Sequence, residues 1–117
     1  MNSLSNEAFL TQLGYTQHSN IEASLKRVAR NMNGFEHLKG HIIQLADSLK
    51  PYDGFVALSN SHDYLKIKNL TTCLGQLLKS KELIEKWAKK YKVKLEKLPN
   101  KDTYYIIGIV EEQKKAA

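Results

Sequence analysis

The chain has 117 residues, 42% of them hydrophobic and 26% charged, with one cysteine and a formal net charge of +6. That is the length of one ordinary domain, with enough apolar content for a core that needs neither metal nor disulfide, and the lone Cys73, read as a small buried hydrophobe among Leu70, Leu74 and Leu77, fits a reducing, cytoplasmic compartment. Met1 to Leu13 lacks the basic start and long apolar run of a secretory signal, and the longest apolar stretch, Tyr104 to Val110, is seven residues against the roughly twenty of a spanning helix, so no membrane partner is expected.

Asn6 to Leu13 reads as a short helix, with Ser5 as its cap and Gly14 as its stop. Tyr15 to Asn20 reads as loop, which makes residues 1–19 a short helix and its connection. Ser19-Asn20-Ile21-Glu22 is a capping box, in which a serine hydroxyl satisfies an orphan amide and a glutamate three residues on reaches back. The helix it opens carries Ile21, Leu25, Val28, Ala29 and Met32 on one face. The pattern resumes at Phe35, Leu38, Ile42, Leu45, Ala46 and Leu49 and ends before Pro51, and Asn33-Gly34 stands between the two halves. With a turn there the segment is a helical hairpin; without one it is a single helix of about 45 Å at 1.5 Å per residue, whose stripe, interrupted only by Lys39, needs a second chain. The turn dipeptide favours a break or kink at Gly34.

Asp53-Gly54 marks a turn, Phe55 to Leu58 reads as a strand, Ser59 to Asp63 as a polar loop, and Tyr64 to Lys68 alternates as a half-buried strand does. A helix is predicted from Leu70 to about Tyr91, burying Leu70, Cys73, Leu74, Leu77, Ile84, Trp87, Ala88 and Tyr91. Val93 to Leu98 alternates, Pro99 to Asp102 turns, and Thr103 to Val110 returns as a strand apolar on both faces. Such a strand is expected at the centre of its sheet and covered on both sides. Residues 111–117 are a charged tail expected to fray. The expectation is a single α+β domain over residues 1–117. Its helical N-terminal half, a short helix plus either a helical hairpin or a long kinked helix, packs on a small, mainly antiparallel sheet in the order ββαββ.

Few residues suggest chemistry. His37 and His41 lie four apart on a predicted helix, the spacing at which two imidazoles can hold one metal. They fall on the flank away from Phe35, Leu38, Ile42 and Leu49, and no third ligand matches, so no cofactor is expected. Ser61-His62-Asp63 contains the residue types of a hydrolase triad, but three consecutive residues cannot form the relay. Turn chemistry explains them. No nucleophile elbow, phosphate-binding glycine loop or dinucleotide fingerprint occurs. Glu82 and Glu85 suit surface pairing with Lys86 and Lys89 along a helix.

One lead remains. Lys79 to Lys101 holds nine lysines against three glutamates, a local charge equal to that of the whole chain. Such a run attracts phosphates, an anionic surface or an acidic protein, although only Arg27 and Arg30 supply the guanidinium that reads bases bidentately. If the helix breaks at Lys79-Ser80, with Ser80 capping a second segment, the order helix, turn, lysine-rich helix and hairpin tipped by Asn100-Lys101 resembles the second half of a winged helix. The order helix, two strands, helix, further strands also resembles dimeric scaffold domains of the roadblock type, with no residue motif in common.

The reading that follows is a non-enzymatic, cytosolic interaction or scaffold module, homodimeric, which engages a protein partner through the helical half or the sheet edge. Phe35, Leu38, Ile42 and Leu49 are its candidate interface. The alternative is a nucleic-acid binder that uses Lys86, Lys89, Lys90, Lys92, Lys94, Lys97 and Lys101 as phosphate contacts.

Overall fold

A computed structural model of the chain describes residues 4–16, 19–59, 62–99 and 101–110. The expected tail at 111–117, together with Met1, His18, Ser61 and Asn100, lies outside the described residues. Helix α1 (Asn6–Gln12) is capped by Ser5, whose Oγ accepts from Ala8 N at 3.0 Å, and the chain leaves it through Gly14 at φ +98°. Helix α2 (Ser19–Asn31) opens at the first residue of the capping box.

The expected break at Gly34 occurs. Gly34 sits at φ +79° as the N-cap of α3 (Phe35–Leu49), a conformation that costs a residue with a Cβ about 1–2 kcal/mol. A single 3-10 turn (Lys50–Tyr52), with Asp53 left-handed at φ +58°, then turns the chain into the sheet. Strands β1 (Gly54–Leu58) and β2 (Leu65–Asn69) form one hairpin, β3 (Val93–Lys97) and β4 (Thr103–Ile109) another, and α4 (Leu74–Tyr91) joins them. All pairings are antiparallel and the spatial order is β1-β2-β4-β3, which leaves β1 and β3 as edges and puts β4 inside, as its apolar sequence requires.

The helices cover one face. Val56, Leu58, Leu65, Ile67, Tyr104 and Ile106 point into a core shared with Leu25, Leu38, Ile42, Leu49 and Ile84. Phe35, Leu38, Ile42 and Leu49, expected to wait for a partner, are 0–3% exposed and belong to this chain's own core. Each buried side chain of that size contributes roughly 1.5–3 kcal/mol, which the chain gains without a second copy. Lys39 interrupts the stripe but not the packing. It is 3% exposed, lies over the Phe35 ring, donates to Leu4 O at 2.8 Å and pairs with Glu36 at 2.9 Å, so it ties the start of the chain to α3.

Two expectations are corrected. Helix α4 begins at Leu74 rather than Leu70, and its first turns overhang the sheet. Leu70, Leu74 and Leu78 are 63%, 68% and 58% exposed, and Cys73 is exposed too. The apolar spacing is continuous, but only the half from Ser80 onward reaches the core, through Ile84, Trp87 and Ala88. The second correction concerns β4, whose outer face carries no helix among the described residues. The residues of that face take no part in the core. No described helix is long and apolar enough to cross a membrane.

Candidate functional site

The run of nine lysines does not make one surface. Lys79, Lys81, Lys86, Lys89 and Lys90 ride on α4, Lys92 ends that helix in a left-handed conformation, Lys94 and Lys97 lie on β3, and Lys101 follows the second hairpin's turn. Alternation sends Lys94 and Lys97 to opposite faces of the sheet. Lys81 pairs with Asp102 at 3.2 Å, and Lys97 donates to Lys101 O at 3.0 Å. The helix is also unbroken at Ser80, which is fully buried and donates to Asn69 Oδ1 instead of capping a new segment. The recognition-helix arrangement of a winged helix is therefore absent from α4.

His37 and His41 meet edge to face, 5.6 Å between ring centroids, and His41 stacks on Tyr91 at 3.8 Å. No group of three His, Cys, Asp or Glu converges on a metal position among the described residues. Below His41, Trp87 Nε1 donates to its carbonyl at 2.9 Å and ties α4 to α3.

The outer face of the sheet gathers residues that are far apart in the chain. Register sets Lys66 between Ala57 and Tyr105, with Glu96 beyond, and Lys68 between Phe55 and Thr103. Lys66 and Lys68 are half-buried and two apart on one strand, so their side chains rise about 7 Å apart. Lys66, Lys68, Lys101, Thr103 and Tyr105 line a shallow cavity of about 130 Å³ that reaches Ser59. Lys94 extends the same face. None of these four lysines has a carboxylate within 4 Å among the described residues. Among the described residues of this face, four cations thus stand beside one anion, Glu96.

Rings adjoin them. Tyr64 and Tyr105 lie 5.0 Å apart, and His62 is 5.5 Å from Tyr105 and 6.3 Å from Tyr64. Tyr105 is the buried floor of this cluster, Tyr64 is half-buried and His62 is exposed. His62 Nδ1 and Tyr105 Oη are hydrogen-bonded at 3.0 Å, which fixes the imidazole over the sheet.

A second concavity, of about 230 Å³, opens beside the first, between α2 and the end of β1. Arg27 Nε meets Asp63 Oδ1 at 3.3 Å, Arg27 Nη2 donates to Ser24 Oγ at 3.1 Å, and Asn31 Nδ2 donates to Asp63 O at 2.9 Å. The bonds to Asp63 hold it against α2. On the opposite wall, Tyr15 Oη accepts from Leu58 N at 2.8 Å.

On the helix side of β4, Tyr104 is 4% exposed. Burial pushes its hydroxyl above the ordinary tyrosine value, and the nearby carboxylates of Glu85 and Asp102 push it the same way.

Searches against family models, curated proteins and solved structures find no match to this chain.

The sequence reading missed Lys66, Lys68 and the rings of Tyr64 and Tyr105 as a site. The signal present was the alternation Tyr64-Leu65-Lys66-Ile67-Lys68, which sets an aromatic ring and two lysines on one side of a strand.

Proposed function

We propose that this protein is a non-enzymatic binder of single-stranded nucleic acid that uses the open face of its sheet. The observation that carries the reading is the conjunction on that face of four lysines lacking carboxylate partners among the described residues, Lys66, Lys68, Lys94 and Lys101, with the ring cluster of His62, Tyr64 and Tyr105. Lysines bind phosphates as point charges without reading sequence, and rings stack on any base, so the expected preference is for strand form and not for sequence. A duplex keeps its bases stacked inside and gives such rings nothing to hold. On α4, by contrast, Glu82 and Glu85 are interspersed among Lys79, Lys81, Lys86, Lys89 and Lys90.

The test is fluorescence anisotropy with a labelled 12-nucleotide single strand and its duplex, titrated at several salt concentrations. Four phosphate contacts give a slope of log affinity against log salt of about −3 for the single strand. No binding of the single strand at low salt would overturn the reading.

A homodimeric protein-interaction module is the second reading, favoured by the exposed Leu70, Leu74 and Leu78. Burying them, each about three-fifths exposed, would contribute roughly 3–5 kcal/mol in all. Association costs about 4–15 kcal/mol, so this stripe needs further contacts to hold two chains together. Sedimentation of the wild type beside Leu74→Ser/Leu78→Ser tests it: a dimer that the double variant dissolves supports the module, and a monomeric wild type rejects the dimer.

A further inference from the structure

The two concavities are neighbours that meet at one residue. Ser59 lines both, and His62, which lines the cleft, is bonded to Tyr105 on the floor of the other. A strand lying across Lys66 and Lys68 that runs on past Ser59 and His62 reaches the cleft. We infer that the cleft between α2 and the end of β1 is a pocket for one nucleobase turned out of that strand, an inference that rests on the reading of the sheet face given above.

Size and lining both point to a single base. About 230 Å³ is below the roughly 300–1,000 Å³ of sites that enclose larger organic ligands, yet exceeds what a water or an inorganic ion needs. The lining is mainly polar, with a smaller apolar side to which Tyr15, Ile21, Val28 and Leu58 contribute, against which a flat ring can rest. The rim is polar and mixed in character. The guanidinium of Arg27 supplies donors and the carboxylate of Asp63 supplies acceptors, with Asp63 Oδ1 taken by Arg27 and its second oxygen without a partner among the described residues. The Watson–Crick edge of every base presents donors and acceptors side by side, and a guanidinium beside a carboxylate answers both. Inorganic phosphate fits this rim less well, because Asp63 would repel it and already compensates Arg27. Turning one base out of an unpaired strand costs little, since no partner base has to be given up.

The experiment is an amide chemical-shift titration of the whole chain with each of the four ribonucleoside 5′-monophosphates, followed by a labelled 12-nucleotide single strand. Shifts at Ser24, Arg27, Leu58, Ser59 and Asp63 with the mononucleotides are the expected result. If the 12-mer perturbs Lys66, Lys68 and Thr103 but neither probe perturbs the cleft, the inference is overturned while the sheet reading stands. If the mononucleotides perturb the cleft and the 12-mer leaves the sheet untouched, the sheet reading fails. With no shift anywhere both fail. Inorganic phosphate alone, titrated in parallel, should leave the cleft unmoved, and equal shifts with phosphate would overturn recognition of the base. Ser24→Leu, which fills the cleft from α2, should weaken 12-mer binding about tenfold with its salt slope unchanged; full affinity in that variant also overturns the inference.

Discussion

Gly34 and Ile109 touch as closely as a glycine permits: a Cβ on Gly34 would fall 2.2 Å from Ile109 Cδ1 and 2.7 Å from its Cγ1. The approach is fixed by neighbouring bonds, because Ile109 N donates to Asn33 O at 2.9 Å and Asn33 Nδ2 donates to Ile109 O at 3.0 Å. Beyond Leu65, where β2 stops pairing with β4, the turn between α2 and α3 takes over the edge of β4. Gly34→Ala should therefore lose about 1–2 kcal/mol to its positive φ and a further 1–3 kcal/mol to overpacking. Gly14→Ala is the control, since Gly14 has φ +98° but nothing within 4 Å, and it should show only the backbone part. Urea unfolding of both variants measures the difference, and equal losses would show that Ile109 gives way freely.

Which parts of this molecule were legible in its sequence follows from the range of the interactions. Ser5, Gly14, Gly34 and the Asp53-Gly54 turn act on their immediate neighbours, so α1, the break before α3 and the first hairpin could be read directly. The apolar sequence of β4 identified an interior strand, but a strand's own residues do not report whether helices stack on one face or two. Spacing likewise placed Leu70, Cys73 and Leu74 on the buried stripe of α4 without revealing that the sheet ends beneath them. The candidate site was hidden for a similar reason. Lys66 and Lys68 are two charges beside a run of nine, and their meeting with Thr103 and Tyr105 is created by the pairing of β2 with β4 across more than thirty intervening residues. Sequence density pointed to 79–101 because those lysines crowd one segment of the chain, and folding disperses them over α4 and both sides of β3.

The sheet and the helix are separable by charge substitution. Lys66→Gln/Lys68→Gln should lower single-strand affinity at least tenfold and make the salt slope shallower by about 1.4, the share of two phosphate contacts. Lys89→Gln/Lys90→Gln should leave the slope within error of the wild type, because those exposed residues sit on the helix that packs against the other side of the sheet. All four positions are at least half-open to solvent or on the outer face, so melting temperatures should change little. A slope that falls for the helix pair and not for the strand pair would move the binding surface to α4.

Ser80 is buried in the middle of α4 and bonded to Asn69 at the end of β2, and Asn69 in turn donates from Nδ2 to Asp102 O at 3.2 Å. This chain of bonds couples α4 to both hairpins at one end of the sheet. Ser80→Ala removes the donor and leaves an amide oxygen short of a partner, which should lower stability by about 1–2 kcal/mol. Ser80→Cys nearly conserves volume but donates weakly, so it should fall close to alanine if the bond matters and close to wild type if only packing does. Chemical denaturation of the pair distinguishes the two.

Tyr104 sets an alkaline limit on the fold. Burial, with Glu85 and Asp102 adding to it, raises the hydroxyl's pKa in the folded chain above its unfolded value near 10. Between those two values the unfolded state has released a proton that the native state still holds, so stability falls as pH rises through that window. Below pH 10 the contribution is fully present and the curve is flat with respect to this group. Tyr104→Phe cannot ionise in either state, and the difference in unfolding free energy between wild type and variant should stay constant up to about pH 9.5 and then shift in favour of the variant. Lysines titrate in the same range, but they do so in both proteins and cancel in the difference. A difference that stays level to pH 11.5 would mean that the Tyr104 hydroxyl ionises as readily in the folded chain as in the unfolded one, and that its burial between β4 and α4 is not maintained in solution.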